Sequence, residues 1–439
     1  MKCYTFISRK FVVKGRFTAM KEMIKNAFRR GFRETAASLK WAIFSILSGV
    51  LIGSAATFFS FALSFMTLVR EKNPWIIWLL PVGGLLIVGA YRLLRDEKDT
   101  GTNLVLSAIH SGDELPFRMA PLIFFSTLIT HLFGGSAGRE GAALQLGGSI
   151  GNGLGQLFHF DEKDKHIMIM CGMSAAFSAL FGTPMAAAIF SMEVVSVGIM
   201  HYSALVPCVL ASLTAHGVAL FFGVAAERFP LEHIPAFTVK SAVIVSVLAV
   251  LCALVSVLFC ILLHQTEHLS KKLLKNAYVR IFAGGSLVAF LTFLVGSQTY
   301  NGAGMSFIEA CMETGAVAWQ AFLLKMLFTA ITLGAGYKGG EIVPTFFVGA
   351  SFGCLFANLT GFSPMLCTAV GMTAVFCGVT NCPLTSLLIS FELFGFEGMP
   401  YFLLSAAFSY MLSGYYGLYQ SQKIVYSKYK TNYINRKTH

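Results

Sequence analysis

One segment combines residue types and spacing suited to ion chemistry: Gly134-Gly135-Ser136-Ala137-Gly138-Arg139-Glu140-Gly141-Ala142. It opens an apolar stretch, with glycines on both sides of Arg139 and Glu140. The exposed backbone N–H groups of a helix start carry partial positive charge and bind anions. Glycine lets the backbone approach the ion closely, which makes Gly138 and Gly141 candidate anion-site residues beside Arg139. A carboxylate within a membrane is costly and calls for a task. Ionised, Glu140 could occupy the anion's place; protonated, it could swing away, and one side chain would then couple anion to proton movement. The competing reading is a surface loop with an ordinary Arg139–Glu140 ion pair, weakened because adjacent residues of a helix point in different directions.

The elements that must position this segment are membrane elements. The chain has 439 residues, 56% hydrophobic and only 12% charged, with mean hydropathy +0.69. A soluble domain carries roughly 25% charged residues. Apolar stretches long enough to span occur at 41–69, 76–94, 115–133, 201–223, 238–264, 280–297, 318–335 and 397–417. Between them lie shorter or glycine-rich apolar pieces at 102–110, 134–158, 166–181, 184–198, 340–358, 364–379 and 383–395. Broken helices at membrane depth survive only where protein or a water-filled cavity surrounds them. An all-α polytopic transporter or channel follows.

The second half echoes the first. Gly172-Met173-Ser174-Ala175-Ala176-Phe177 matches Gly371-Met372-Thr373-Ala374-Val375-Phe376, and Pro184 and Glu193 match Pro383 and Glu392, all at an offset of 199. Gly138 to Gly151 matches Gly340 to Gly353 at an offset of 202, which aligns Glu341 with Arg139. Repeats with interrupted helices in matching places mark a secondary-transporter fold, with the substrate where the broken helices meet. The expected organisation is a basic arm at 1–39 with an amphipathic surface helix around 18–31, a first transmembrane repeat at 40–223, a second at 224–420, and a basic C-terminal helix and tail at 421–439.

The net charge of +12 is concentrated at the ends. Residues 1–40 hold 11 Lys/Arg against 2 acids, and 421–439 hold 5 against none. This excludes a nucleic-acid binder, whose basic residues would cover a folded face. It places both termini in the cytoplasm of a multi-pass protein of the inner (plasma) membrane. The ten cysteines include no CxxC pair and read as buried hydrophobes. No metal-site spacing and no nucleotide-binding or HExxH motif is present, so neither an enzyme nor a cofactor or metal requirement is expected.

The segment around Glu140 resembles the GREGP signature of the CLC family of chloride channels and anion/proton exchangers, with Ala142 in place of proline. The duplication carries the resemblance over about residues 40–430. It implies the CLC fold, two inverted-topology repeats of broken and tilted helices, in a homodimer with one pore per subunit. The interface would map to 184–223 and 384–417, and Glu140 would be the external gating glutamate. Where the chloride branch has GSGIP, this chain reads Gly101-Thr102-Asn103-Leu104-Val105; where it has GxFxP, Gly340-Glu341-Ile342-Val343-Pro344. The internal proton-transfer glutamate falls at Val194. These departures resemble the fluoride/proton antiporter branch and imply fluoride export driven by proton entry; the alternatives are a chloride/proton exchanger and a CLC-type anion channel.

Fluoride is small and a strong hydrogen-bond acceptor. Thr102 offers it a hydroxyl and Asn103 an amide, unless they serve as helix caps. Ile342 and Val343 join the expected anion site through their backbone. Glu341 is either a helix cap or a second proton-coupling carboxylate, the latter favoured, and Lys338 either pairs with it or faces solvent. Lys423-Ile424-Val425-Tyr426-Ser427 resembles the family's GKPLYS stretch and makes Tyr426 the candidate pore phenol, against an interfacial aromatic. Glu193 and Glu392 read as structural, bonding backbone near helix ends, and Lys325 as a paired structural charge.

Overall fold

The computed structural model describes residues 3–96, 99–232 and 234–439 and, among the first 37, the side chains of residues 25, 26, 29, 35 and 36 only. The chain opens with α1 (Cys3–Lys72), whose Ser38–Lys72 portion is apolar enough to cross a bilayer. The surface helix expected around 18–31 falls inside α1, and the face it presents lies outside the described residues. α2 (Leu80–Leu93), α3 (Thr102–Ser111), α4 (Met119–Leu132), α5 (Glu140–Leu157), α6 (Glu162–Phe181), α7 (Pro184–Glu193) and α8 (Leu205–Phe221) complete the first half. The second half comprises α9 (Val239–Leu273), α10 (Ala277–Val295), α11 (Met305–Thr314), α12 (Ala321–Ala335), α13 (Ile342–Thr360), α14 (Pro364–Thr380), α15 (Pro383–Phe394) and α16 (Met399–Leu412). Every apolar stretch read from the sequence is one of these helices; α11 was not among them. Pro184, Pro364 and Pro383 each sit in the first turn of their helix, where a missing N–H costs nothing.

The two halves use the same packing device. α5 lies against α6 so closely that a Cβ on Gly147 would stand 2.1 Å from the Gly172 carbonyl oxygen, and one on Gly172 2.0 Å from that of Gly147. In the second half, a Cβ on Gly349 would stand 2.4 Å from the Gly371 oxygen, and one on Gly371 2.2 Å from that of Gly349. Small residues let backbones approach where burial of apolar surface supplies little drive. This contact is the physical content of the repeated glycines.

The repeats also cap one another. The Glu193 carboxylate, at the end of α7, accepts from the N–H of Leu384 (3.1 Å) and from the N–H (2.8 Å) and hydroxyl (2.6 Å) of Thr385, at the start of α15. Glu392, near the end of α15, accepts from the N–H groups of Met185 and Ala186 at the start of α7, both at 2.9 Å. Orphan N–H groups of a helix start need such acceptors. Val194 is fully buried and apolar.

Three expectations need correction. The C-terminal segment is not a helix. β1 (Ser196–Val197) pairs in parallel with β2 (Lys423–Tyr426), which pairs antiparallel with β3 (Tyr433–Lys437). Ile424-Val425-Tyr426 is β-branched and aromatic, and the strand after α7 offers it a partner. Among the described residues Lys325 has no acidic partner: its fully buried ammonium donates to the carbonyls of Tyr300 (3.2 Å) and Gly302 (2.7 Å). Lys338 pairs with the Asp99 carboxylate at 2.9 Å and not with Glu341.

Candidate functional site

The two halves meet at the glycines that the offset of 202 aligns. Gly138 N–H donates to the Gly340 carbonyl (2.6 Å), and Gly340 N–H donates to that of Gly138 (2.7 Å), an antiparallel two-bond bridge. It brings the starts of α5 and α13 face to face. Gly340 lies over the open end of α5, where a Cβ would stand 2.5 Å from the Gly141 nitrogen and 2.9 Å from that of Glu140. Ile342 and Val343 form the buried first turn of α13.

Glu140 is the first residue of α5 and is fully buried. One carboxylate oxygen accepts from the Arg139 backbone N–H at 3.0 Å. The other has no hydrogen-bond partner, although the Arg139 Nε lies 3.5 Å away. The carboxylate thus sits on the helix-start N–H groups where an anion would bind. Arg139 turns its guanidinium outward to Glu227, at 2.6 Å, in the connection between α8 and α9. Its contribution at the site is therefore its backbone N–H, with the side chain held by Glu227.

Glu341 is the residue before α13, and its side chain makes no capping hydrogen bond. Its Oε2 has no partner. That oxygen lies over Gly141, 2.9 Å from where a Cβ would stand there, and the Thr102 hydroxyl lies 3.4 Å from the same point. The three residues converge because position 141 has no side chain. The cap reading of Glu341 fails on this geometry.

A cavity of about 1160 Å³ reaches this convergence, lined by Thr102, Asn103, Gln145, Glu341 and Tyr419. Its mouth carries the C-terminal ends of α2 and α9 and residues Lys437, Thr438 and His439. Of the two carboxylates at the bridged helix starts, Glu341 is in its wall and Glu140 is not. Thr102 is the first helical residue of α3; its hydroxyl donates to the Gly141 carbonyl (3.4 Å) and accepts from the Gln145 amide (3.3 Å). Neither Thr102 nor Asn103 is the cap of α3, a place taken by Gly101 at φ +67°. The Asn103 side-chain oxygen accepts from the Ser421 N–H at 2.9 Å, leaving its NH2 as a donor.

Tyr426 is not at this site. It lies 44% exposed on β2, with its ring against Tyr433. The buried phenol is Tyr419, 2% exposed, whose hydroxyl has no partner and whose ring lines the cavity. Its loop is held by Leu418 N–H on the Val379 carbonyl (2.8 Å) and by the Thr438 hydroxyl on the Tyr419 carbonyl (2.7 Å). Gln145 was also missed; it lies one turn beyond Glu140 on α5, and a buried polar side chain that close to the helix start was a readable signal. Among the described residues no group of three or more His, Cys, Asp and Glu side chains converges as a metal site.

The family pattern described as voltage gated chloride channel matches residues 83–414. A chloride/fluoride channel protein of Pseudomonas syringae pv. tomato is 36% identical over 397 residues, 89% of this chain and 88% of that one. The voltage-gated ClC-type chloride channel ClcB of Escherichia coli is 25% identical over 405 residues, 87% of this chain and 91% of that one. The crystal structure of a CLC-type fluoride/proton antiporter superposes with a TM-score of 0.85 at 32% identity, covering 88% of this chain and 98% of that one. A slow cyanobacterial Cl−/H+ antiporter superposes with a TM-score of 0.72 at 19% identity, covering 85% of this chain and 94% of that one, which speaks for the fold alone. With the pattern covering most of its length and a relative 36% identical over 89% of the chain, the chain belongs to the voltage gated chloride channel, or CLC, family.

Proposed function

We propose that this protein is a secondary-active antiporter, and not an enzyme, that exports cytoplasmic fluoride in exchange for protons. The observation that carries the reading is the pair of carboxylates at the bridged helix starts: Glu140 seated on the Arg139 N–H, and Glu341 over Gly141, facing the cavity. Ionised, Glu140 holds the anion's place; protonated, it leaves the N–H groups to the anion. Glu341 passes the proton to the cavity, a task that buried apolar Val194 cannot perform. Fluoride is met by the Thr102 hydroxyl, the Asn103 NH2 and the backbone of Gly138, Gly141, Ile342 and Val343. The similarity to a CLC-type fluoride/proton antiporter supports the choice of fluoride over chloride, and the name of the chloride/fluoride channel relative is compatible with it.

The basic ends support cytoplasmic termini in the inner membrane, with repeats at 40–223 and 224–420. The cavity, whose mouth bears the C-terminal residues, is then the cytoplasmic vestibule. A homodimer through 184–223 and 384–417 is supported by the exposed apolar side chains Val206, Leu213, Leu384 and Leu403.

Reconstitution in liposomes tests the proposal. Fluoride efflux down its gradient is expected to drive proton uptake and to outpace chloride efflux. Equal fluoride and chloride rates would remove the fluoride assignment. Glu140→Gln is expected to abolish proton movement, and Glu341→Gln to impair it; proton coupling that survives the first substitution would overturn the gate.

A further inference from the structure

On the face opposite the cavity, the protein buries two positive charges that form no salt bridge among the described residues. Arg70 ends the membrane-crossing part of α1, and its side chain is 93% buried. The next span, α2, runs back to Tyr91 and Arg92 in the cavity wall, which sets Arg70 at the other face. Among the described residues the Arg70 Nε and Nη1 are buried without a hydrogen-bond partner, and the adjacent Glu71 carboxylate acts on the guanidinium only through its charge. Its acidic neighbour Glu71 is exposed. Lys325 reaches the same loop: among the described residues its ammonium donates to the Tyr300 and Gly302 carbonyls, and Gly302 also packs against the Arg70 guanidinium.

The 300–304 loop is shaped around these charges. Gly302 has φ +59°, and a Cβ there would stand 2.4 Å from the Arg70 Nη1. The same loop is tied to the segment that leads to Glu140: Gly302 N–H donates to the Gly135 carbonyl (3.0 Å) and the Asn301 amide to that of Gly134 (2.7 Å). A buried charge without a partner is strongly unfavourable, and a planar guanidinium with free donors is suited to accept an anion.

We propose that Arg70 and Lys325 form an outer anion-binding site that takes a small monovalent halide, on the opposite side of Glu140 from the vestibule. The ion supplies the missing counter-charge, accepts from the free Nε and Nη1 of Arg70, and steadies the loop that carries Gly134 and Gly135. Its source is either the fluoride leaving past Glu140 or chloride of the outer medium. The proposal concerns binding and stands independently of the antiport mechanism.

Crystals of the full-length protein soaked in bromide provide the first test. An anomalous peak is expected at hydrogen-bond distance from the Arg70 guanidinium, apart from any peak at the starts of α5 and α13. The second test follows thermal unfolding in detergent against sodium fluoride and sodium chloride, with gluconate holding ionic strength constant. Arg70→Gln is expected to need about tenfold more halide for the same stabilisation. Stabilisation by both halides identifies an ion of the medium; stabilisation by fluoride alone identifies the cargo. Should Arg70→Gln fail to fold, Arg70→Lys, which keeps the charge and loses the fork, and the wild-type bromide map carry the test. No peak at Arg70 together with an unchanged halide response in the variant overturns the proposal.

Discussion

An alanine at position 141 is the sharpest probe of the site, because one methyl group meets three of its parts at once. The added Cβ would stand 2.9 Å from the Glu341 Oε2, 3.0 Å from the Gly340 Cα and 3.4 Å from the Thr102 hydroxyl. The hydroxyl contact is ordinary, and the carboxylate sits at the end of a flexible side chain and can retreat. The Gly340 Cα cannot retreat without parting the Gly138–Gly340 bridge, whose two hydrogen bonds are 2.6 and 2.7 Å long. Overpacking of this kind costs about 1–3 kcal/mol. Expressed in the transport barrier, that is a slowing of roughly 5- to 150-fold. The assay is the initial rate of fluoride efflux from liposomes, with proton uptake recorded in parallel. The unfolding midpoint separates a blocked site from a broken fold. Gly89→Ala is the control, since nothing lies within 4 Å of a Cβ there. We expect it to transport normally and to be stabilised by about 0.4–1 kcal/mol through the unfolded chain. Wild-type rate and coupling in Gly141→Ala would refute the reasoning, because Glu341 would then not depend on a bare backbone at 141.

The two tyrosines give opposite expectations: Tyr419→Phe removes a buried hydroxyl from the vestibule end of the path and should lower fluoride efflux several-fold, whereas Tyr426→Phe should leave it unchanged. Asn103→Leu removes the free NH2 donor, so the fluoride-to-chloride rate ratio should fall; an unaltered ratio would leave Asn103 only its bond to Ser421. The reciprocal caps differ in burial, since Glu193 is 8% exposed and Glu392 is half-buried. Glu193→Ala strands three donors and should cost on the order of 3–5 kcal/mol, and Glu392→Ala strands two and should cost about 1–2, both read from unfolding in detergent.

What the sequence made legible divides along a physical line. Glu140, Glu341 and the aligned glycines were readable because a carboxylate or a repeated glycine in an apolar chain needs a local reason. The helices were readable for the same reason, since membrane crossing imposes length and apolarity on each separately. Partner choice was not readable. Lys338 lies near Glu341 in sequence yet pairs with Asp99, 239 positions away. Glu193 caps a helix 191 positions on. Tyr419 and Tyr426 both sit in short polar-aromatic stretches, and what separates them is burial, which depends on the Val379 carbonyl and Thr438 hydroxyl that hold the Tyr419 loop. The segment at 423–426 was read as part of a helix although Ile-Val-Tyr favours a strand, because its partner at Ser196–Val197 comes from the other half of the chain.

The Gly138–Gly340 bridge explains why these failures and successes coincide at one place. Two helix starts brought together by an inverted repeat point their N–H groups toward a common region, and no side chain is needed to make that region favourable to an anion. Side chains are then free to do what the backbone cannot, which is to change charge. Each half contributes one such group beside its bridging glycine, Glu140 two positions after Gly138 and Glu341 immediately after Gly340. The one-position difference turns them apart: Glu140 folds back onto the Arg139 N–H and away from the cavity, while Glu341 crosses to Gly141 and meets the cavity wall. An exact two-fold repeat would set both carboxylates in equivalent environments and give no direction to proton movement. The asymmetry in spacing sets one carboxylate in the cavity wall and the other beyond it, and that difference is what an exchanger with two distinct faces requires.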